Sequence, residues 1–138
     1  MKSFKTLVTA ILILSFLREA FGQGEFSAFW NKFRSAVIAG DKASVADMAK
    51  FPLSMPYSVK IVKNKQEFLS RYDEIFKGEA NASQCFVSGK PLKVSIQRYE
   101  IYCPFRETPN DTENAPIRFE FELFKSGWKF AGLDNINE

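Results

Sequence analysis

Ile117-Arg118-Phe119-Glu120-Phe121-Glu122-Leu123-Phe124-Lys125-Ser126-Gly127-Trp128-Lys129-Phe130-Ala131-Gly132-Leu133 is the stretch on which the fold class turns. Ile117, Phe119, Phe121 and Leu123 alternate with Arg118, Glu120 and Glu122, a period of two that puts apolar groups on one sheet face and charges on the other. Lys125-Ser126-Gly127 is a tight turn, and Trp128 to Leu133 returns as a second strand. Upstream, residues 104–116 are rich in Pro, Asn, Asp and Thr and read as an exposed loop. Before that loop, Leu92, Val94 and Ile96 alternate on one parity, and Tyr99, Ile101 and Cys103 on the other. A change of phase inside one strand predicts a β-bulge near Gln97–Arg98, which would bend the sheet. Ser88-Gly89-Lys90-Pro91 is a turn that opens this meander.

The first half has a different period. Phe26, Phe29, Trp30, Phe33 and Val37 recur at spacings of three and four, one face of a helix. Gly40 stops it, and Asp41 caps a shorter helix carrying Val45 and Met48. Phe51-Pro52-Leu53 ends that helix. Residues 53–63, with Tyr57, Val59 and Ile61 alternating and Pro56 near the start, read as an edge strand. Asn64 with Glu67 three residues on has capping-box spacing. Phe68, Leu69, Tyr72, Ile75 and Phe76 follow as an apolar helical face that Gly78 ends. Helices followed by an antiparallel meander make an α+β layer.

The N-terminus reads as an export signal. Lys2 and Lys5 precede an apolar run from Leu7 to Leu17, too short to span a bilayer, which needs about 20 residues. Ala20 and Gly22 have the spacing of a cleavage site, so residues 1–22 are expected to leave and residues 23–138 to form one domain, exported to a periplasm or secreted. The formal charge of +3 is partly the signal's. Without Lys2, Lys5, Arg18 and Glu19 it falls to +1, which leaves no field for nucleic acid or an anionic membrane. No later segment is apolar enough for stable membrane insertion. The fifteen Phe supply a core that needs no metal to hold it. Cys85 and Cys103 can pair in an oxidising compartment, closing a loop worth roughly 3 kcal/mol; two buried thiols are the alternative.

Phe29-Trp30-x-x-Phe33-x-x-Ala36-Val37-x-x-Gly40-Asp41, Val45-Ala46-x-Met48 and Phe51-Pro52-Leu53 resemble the opening of nuclear-transport-factor-2-like domains. Asn64-Lys65-x-x-Phe68-Leu69-x-x-Tyr72-x-x-Ile75-Phe76 resembles their third helix, and Gly127 to Leu133 their closing strand. The resemblance implies a strongly curved antiparallel sheet wrapped around three helices, an α+β cone with a cavity. It also implies pairing of two copies through the outer sheet face. Members include isomerases, dehydratases, transport adaptors and exported domains of no assigned activity, so fold does not select a function.

The residue inventory narrows the chemistry. With no His, a His-based triad and a His general base are both excluded. Two Cys cannot make a four-thiolate zinc site, and the scattered Gly form no phosphate loop. Asn110-Asp111-Thr112-Glu113-Asn114 lacks the spacing of a calcium loop. Asn81-Ala82-Ser83 and Asn110-Asp111-Thr112 match the glycan-acceptor pattern. No metal or cofactor is implied. The remaining catalytic candidate is Asp73, beside Tyr72 at the margin of an apolar face; its ordinary reading is a carboxylate in water. Trp30, Tyr57, Tyr72 and Tyr99 are the candidates for lining a cone pocket. Three functions stand at this point. They are a non-catalytic exported domain working through a protein partner or as a scaffold, a binder of a small apolar ligand, and a His-free isomerase or dehydratase using Asp73.

Overall fold

A computed structural model describes residues 25–55 and 61–137, so the expected signal over residues 1–22 and Tyr57 lie outside the described residues. The first helix, α1, covers residues 25–39 and buries Phe26, Trp30, Phe33 and Val37, the stripe its sequence spacing predicts. Gly40 ends it with φ of 69°, where a Cβ would be strained. The Asp41 carboxylate then accepts from the Ser44 N–H and hydroxyl, capping α2 (Lys42–Asp47).

Next come β1 (Ala49–Ser54) and β2 (Ile61–Val62), paired antiparallel. Of the edge strand expected over 53–63, Ile61–Val62 does stand at the sheet edge as β2, residues 53–54 belong instead to the internal strand β1, and residues 56–60 lie outside the described residues. The chain becomes extended at Ala49, Pro52 lies within the strand, and β1 is flanked on both sides. Asn64 caps α3 (Lys65–Ser70) through the Glu67 N–H at 2.9 Å, and the Glu67 carboxylate accepts from the Lys63 N–H. The single helix expected up to Gly78 breaks at Arg71, and α4 (Tyr72–Lys77) follows. A further helix, α5 (Ala82–Ser88), stands where no element was predicted.

The remaining strands are β3 (Leu92–Ser95), β4 (Arg98–Cys103), β5 (Ile117–Phe124) and β6 (Gly127–Asp134). They extend the sheet in the order β2-β1-β6-β5-β4-β3. The fold is α+β. All pairings are antiparallel except β1 with β6, which is parallel, a correction to the all-antiparallel expectation. The phase change near Gln97 is a hairpin turn rather than a bulge within one strand. Ile96 and Gln97 turn the chain, and Leu92 pairs back onto Glu100. Irregular register does occur, within β3 between Lys93 and Ser95 and in β6. In β6, Glu120 faces Gly132 while Phe121 faces Phe130, which leaves Ala131 as the extra residue. That residue shifts the parity, so Trp128, Phe130 and Leu133 all reach the core.

The helices cover one sheet face. Phe33, Phe68, Phe76, Phe86, Phe119, Phe121 and Phe130 are fully buried there, each contributing on the order of 1.5–3 kcal/mol. Cys85 of α5 and Cys103 of β4 form a disulfide that fastens the last helix to the sheet.

Candidate functional site

The space between helices and sheet, where the resemblance implies a cavity, is filled by rings. Phe33 meets Phe121 edge-on at 5.2 Å and Phe130 at 5.4 Å. Phe76 packs on Phe130 at 5.5 Å, and Phe86 on Phe119 at 5.3 Å. Ring pairs at these separations leave little room between them.

Of the pocket candidates, Trp30, Tyr72 and Tyr99 belong to this packing, and Tyr57 lies outside the described residues. Trp30 lies against Phe86 and Phe121. Tyr99 stacks on Phe26 and meets Trp128 edge-on. Tyr72 is buried between Phe68 and Phe76, with the Lys42 ammonium over its ring. Its hydroxyl has no hydrogen-bond partner among the described residues. Burial first, then the nearby Asp73 and Asp41 charges, push its pKa up to about 12. Asp73 is not in this interior. Its side chain is 63% exposed and pairs with Lys42 at 3.4 Å and Lys77 at 3.6 Å. This is the ordinary reading of Asp73, a carboxylate in water, and it follows from its position on α4. Tyr72, Ile75 and Phe76 take the inward face, and Asp73 falls outside it.

The opposite sheet face holds a linked cluster of charged side chains. Glu100 of β4 stands directly across from Glu120 of β5, a like-charge pairing that needs bridging. Arg98 supplies the bridge, with Nε donating to Glu100 Oε1 at 2.8 Å and Nη2 to Glu120 Oε1 at 2.7 Å. The Tyr102 hydroxyl donates to Glu100 Oε2 at 2.5 Å. Arg118 pairs with Glu120 at 2.9 Å and with Asp134. Gly132 makes room for this cluster, since a Cβ there would stand 3.3 Å from Glu120 Oε2. Glu100 is only 5% exposed. Burial pushes its carboxyl up, but the hydrogen bonds from Tyr102 and Arg98, with the charges of Arg98 and Arg118, hold it below the usual range. Glu120 goes the other way, because burial outweighs the pull of Arg98 and Arg118.

Beside this cluster runs the open edge of β3. Leu92, Val94 and Ile96 are 58%, 55% and 63% exposed. Leu92 shares the face of Glu100, diagonal to the exposed Tyr102. The sequence reading counted these three as an ordinary strand row and passed over the ion cluster. The signal for the cluster was present in the opposite-sign charges on the polar parity of two successive strands, Arg98 and Glu100 against Arg118, Glu120 and Glu122. Among the described residues no group of His, Cys, Asp and Glu is arranged to hold a metal ion.

No family model matches this chain, and no curated protein does. Among solved structures it is similar to an NTF2-like protein with a cystatin-like fold from Novosphingobium aromaticivorans, at 10% identity over 88% of this chain and 84% of that one, with a TM-score of 0.49. It is also similar to the hexachlorocyclohexane dehydrochlorinase LinA-type3 from Novosphingobium barchaimii LL02, at 10% identity over 85% and 86% of the two chains, TM-score 0.48. A domain of unknown function with a cystatin-like fold from Nostoc punctiforme PCC 73102 matches at 14% identity over 80% and 74%, TM-score 0.41. The first of these carries the name of the superfamily that the sequence motifs resemble; at this level of similarity no activity or substrate carries over.

Proposed function

We propose that the chain is exported, that residues 1–22 are removed as a signal, and that the remaining domain is non-catalytic and works as a scaffold through protein contacts on the outer face of its sheet. The observation that carries this reading is the apolar group formed by Leu92 and Val94 of β3 and Ile96 of the turn that follows, each more than half exposed beside Tyr102. Exposed apolar rows on an unpaired edge are contact surfaces or liabilities. The ring-filled interior supports the same reading, because Trp30, Tyr72 and Tyr99 pack against other rings.

A second copy of the chain is the partner best matched to this face. The face carries both charge signs in one patch, so a two-fold axis can set Arg98 and Arg118 of one copy near Glu120 and Glu122 of the other. Sedimentation equilibrium across the micromolar range tests it. The wild type is expected to dimerise, and Leu92→Lys/Ile96→Lys to dissociate at concentrations roughly tenfold higher or more. A wild type that stays monomeric throughout that range contradicts the self-contact. Intact-mass analysis of the exported protein tests the signal, with an N-terminus at Gln23 expected and an uncleaved chain as the contrary result.

A further inference from the structure

The charges on the outer sheet face do not balance where they lie closest together. Glu100 of β4, Glu120 of β5 and Asp134 of β6 share the guanidiniums of Arg98 and Arg118. Arg98 holds Glu100 and Glu120 and reaches Glu122 at 3.6 Å. Arg118 holds Glu120 and Asp134 and stands 4.0 Å from Glu100. Three carboxylates against two guanidiniums leave one negative charge in excess. Glu120, which touches both arginines, is at its centre.

Every strand beside Glu120 contributes to this balance. β4 brings Arg98, Glu100 and the Tyr102 hydroxyl, which donates to Glu100. β5 brings Arg118 and Glu122, and β6 brings Asp134, with Lys129 opposite Glu122 and Gly132 opposite Glu120. The Lys129 ammonium donates to the Asp47 carbonyl at 3.1 Å, and that of Lys50 on β1 lies over the Phe124 ring. Among the described residues neither lysine forms an ion pair with Glu120. The Glu120 side chain keeps 15% of its surface in water. Covering this face with a second copy removes that water and sets the excess charge of one copy against that of the other. Both effects act against the charged form of the carboxyl, and a covered charge is screened less by salt.

We infer that the self-contact proposed above, on which this inference rests, is gated by pH: Glu120 of each copy takes up a proton as the two faces meet, so the dimer strengthens on mild acidification. With Glu120 neutral, Glu100 and Asp134 stand against Arg98 and Arg118 and the cluster balances. The neutral carboxyl still has an oxygen to accept from Arg98. Proton uptake on association links the two equilibria, so the dimer gains wherever protons are more available. In the single chain burial already raises the Glu120 carboxyl above its ordinary range, against the pull of Arg98 and Arg118. Glu100 is held below its own range and stays charged. The direction follows. Well above the raised value Glu120 is charged and opposes contact, and as the pH falls toward that value the opposition is lost.

Sedimentation equilibrium of the purified protein at about pH 7.5 and about pH 5, at one ionic strength, tests the inference. The wild-type dissociation constant is expected to fall about tenfold between them. Glu120→Gln removes the excess charge and keeps an acceptor for Arg98. It should dimerise at the higher pH about as tightly as the wild type does at the lower, and should change less than about twofold between the two. Asp73→Asn, which neutralises an exposed carboxylate on the helix side, should keep the wild-type response. Cooperative melting by circular dichroism at both pH values checks that each variant is folded, and the wild-type comparison decides the question without any variant. A wild-type dimer of equal strength at the two pH values would overturn the gating and leave the self-contact standing, as would a folded Glu120→Gln that responds as the wild type does. A wild type that is monomeric at both would contradict the self-contact itself, and the gating with it.

Discussion

A hydroxyl buried without a partner loses its hydration and gains nothing in return, and among the described residues the Tyr72 hydroxyl is in that state. Tyr72→Phe is therefore expected to leave stability unchanged or raise it by about 1 kcal/mol in urea denaturation; a clear loss would show that the hydroxyl has a role. Glu100 makes the opposite case, because its carboxylate is bonded by Tyr102 and Arg98. Its folded pKa is depressed, so the stability it adds is present above its unfolded value of about 4.3 and is lost as the pH falls through its folded value. Glu120, with a raised pKa, acts with the opposite sign. Glu100→Gln should cost about 1–3 kcal/mol at neutral pH and should flatten the acid limb of a melting-temperature profile. A variant whose profile parallels the wild type would contradict the assignment. Trp30 was legible as core, since it sits mid-stripe among Phe residues. Asp73 was legible only as a residue at the margin of a face, and helix phase alone could not say on which side of that margin it falls.

Short elements were the least legible. The seven-residue α5 carries too few apolar positions to show a period, although its cap, Asn81 accepting from Gln84, follows the same three-residue pattern that marked Asn64 and Glu67. Leu92 and Val94 were read correctly as extended, whereas Ile96, read as part of the same strand, lies in the turn, and the alternation left their burial open. Alternation gives the parity of a strand, whereas burial depends on which neighbour lies beyond it, and among the described residues β3 has none on its outer side. The β5–β6 hairpin was nearly complete in the sequence, because turn residues and alternation agree there. The Cys85–Cys103 disulfide joins α5 to β4 across a separation of 18 residues. Cys85→Ala/Cys103→Ala should lower stability by roughly 3 kcal/mol in urea denaturation. A variant as stable as the oxidised wild type would show that the link constrains nothing that packing has not already fixed.

At the scale of the molecule, the fold is a six-stranded sheet whose two faces have been put to different uses. One is packed with phenylalanine rings against the helices; the other carries an ion cluster and an apolar edge. The α+β class and the Phe-rich core could be read from period and composition. The filling of the interior could not, because the same apolar residues can line a cavity or close it, depending on ring positions that no linear pattern encodes. A surface role for this protein depends on that closure. The most direct check is a crystal structure of the protein under xenon pressure, since xenon enters dry apolar cavities. No xenon is expected between Phe33 of α1 and the rings of Phe121 and Phe130; an ordered xenon atom at that place would contradict the account and return the interior to consideration as a ligand site.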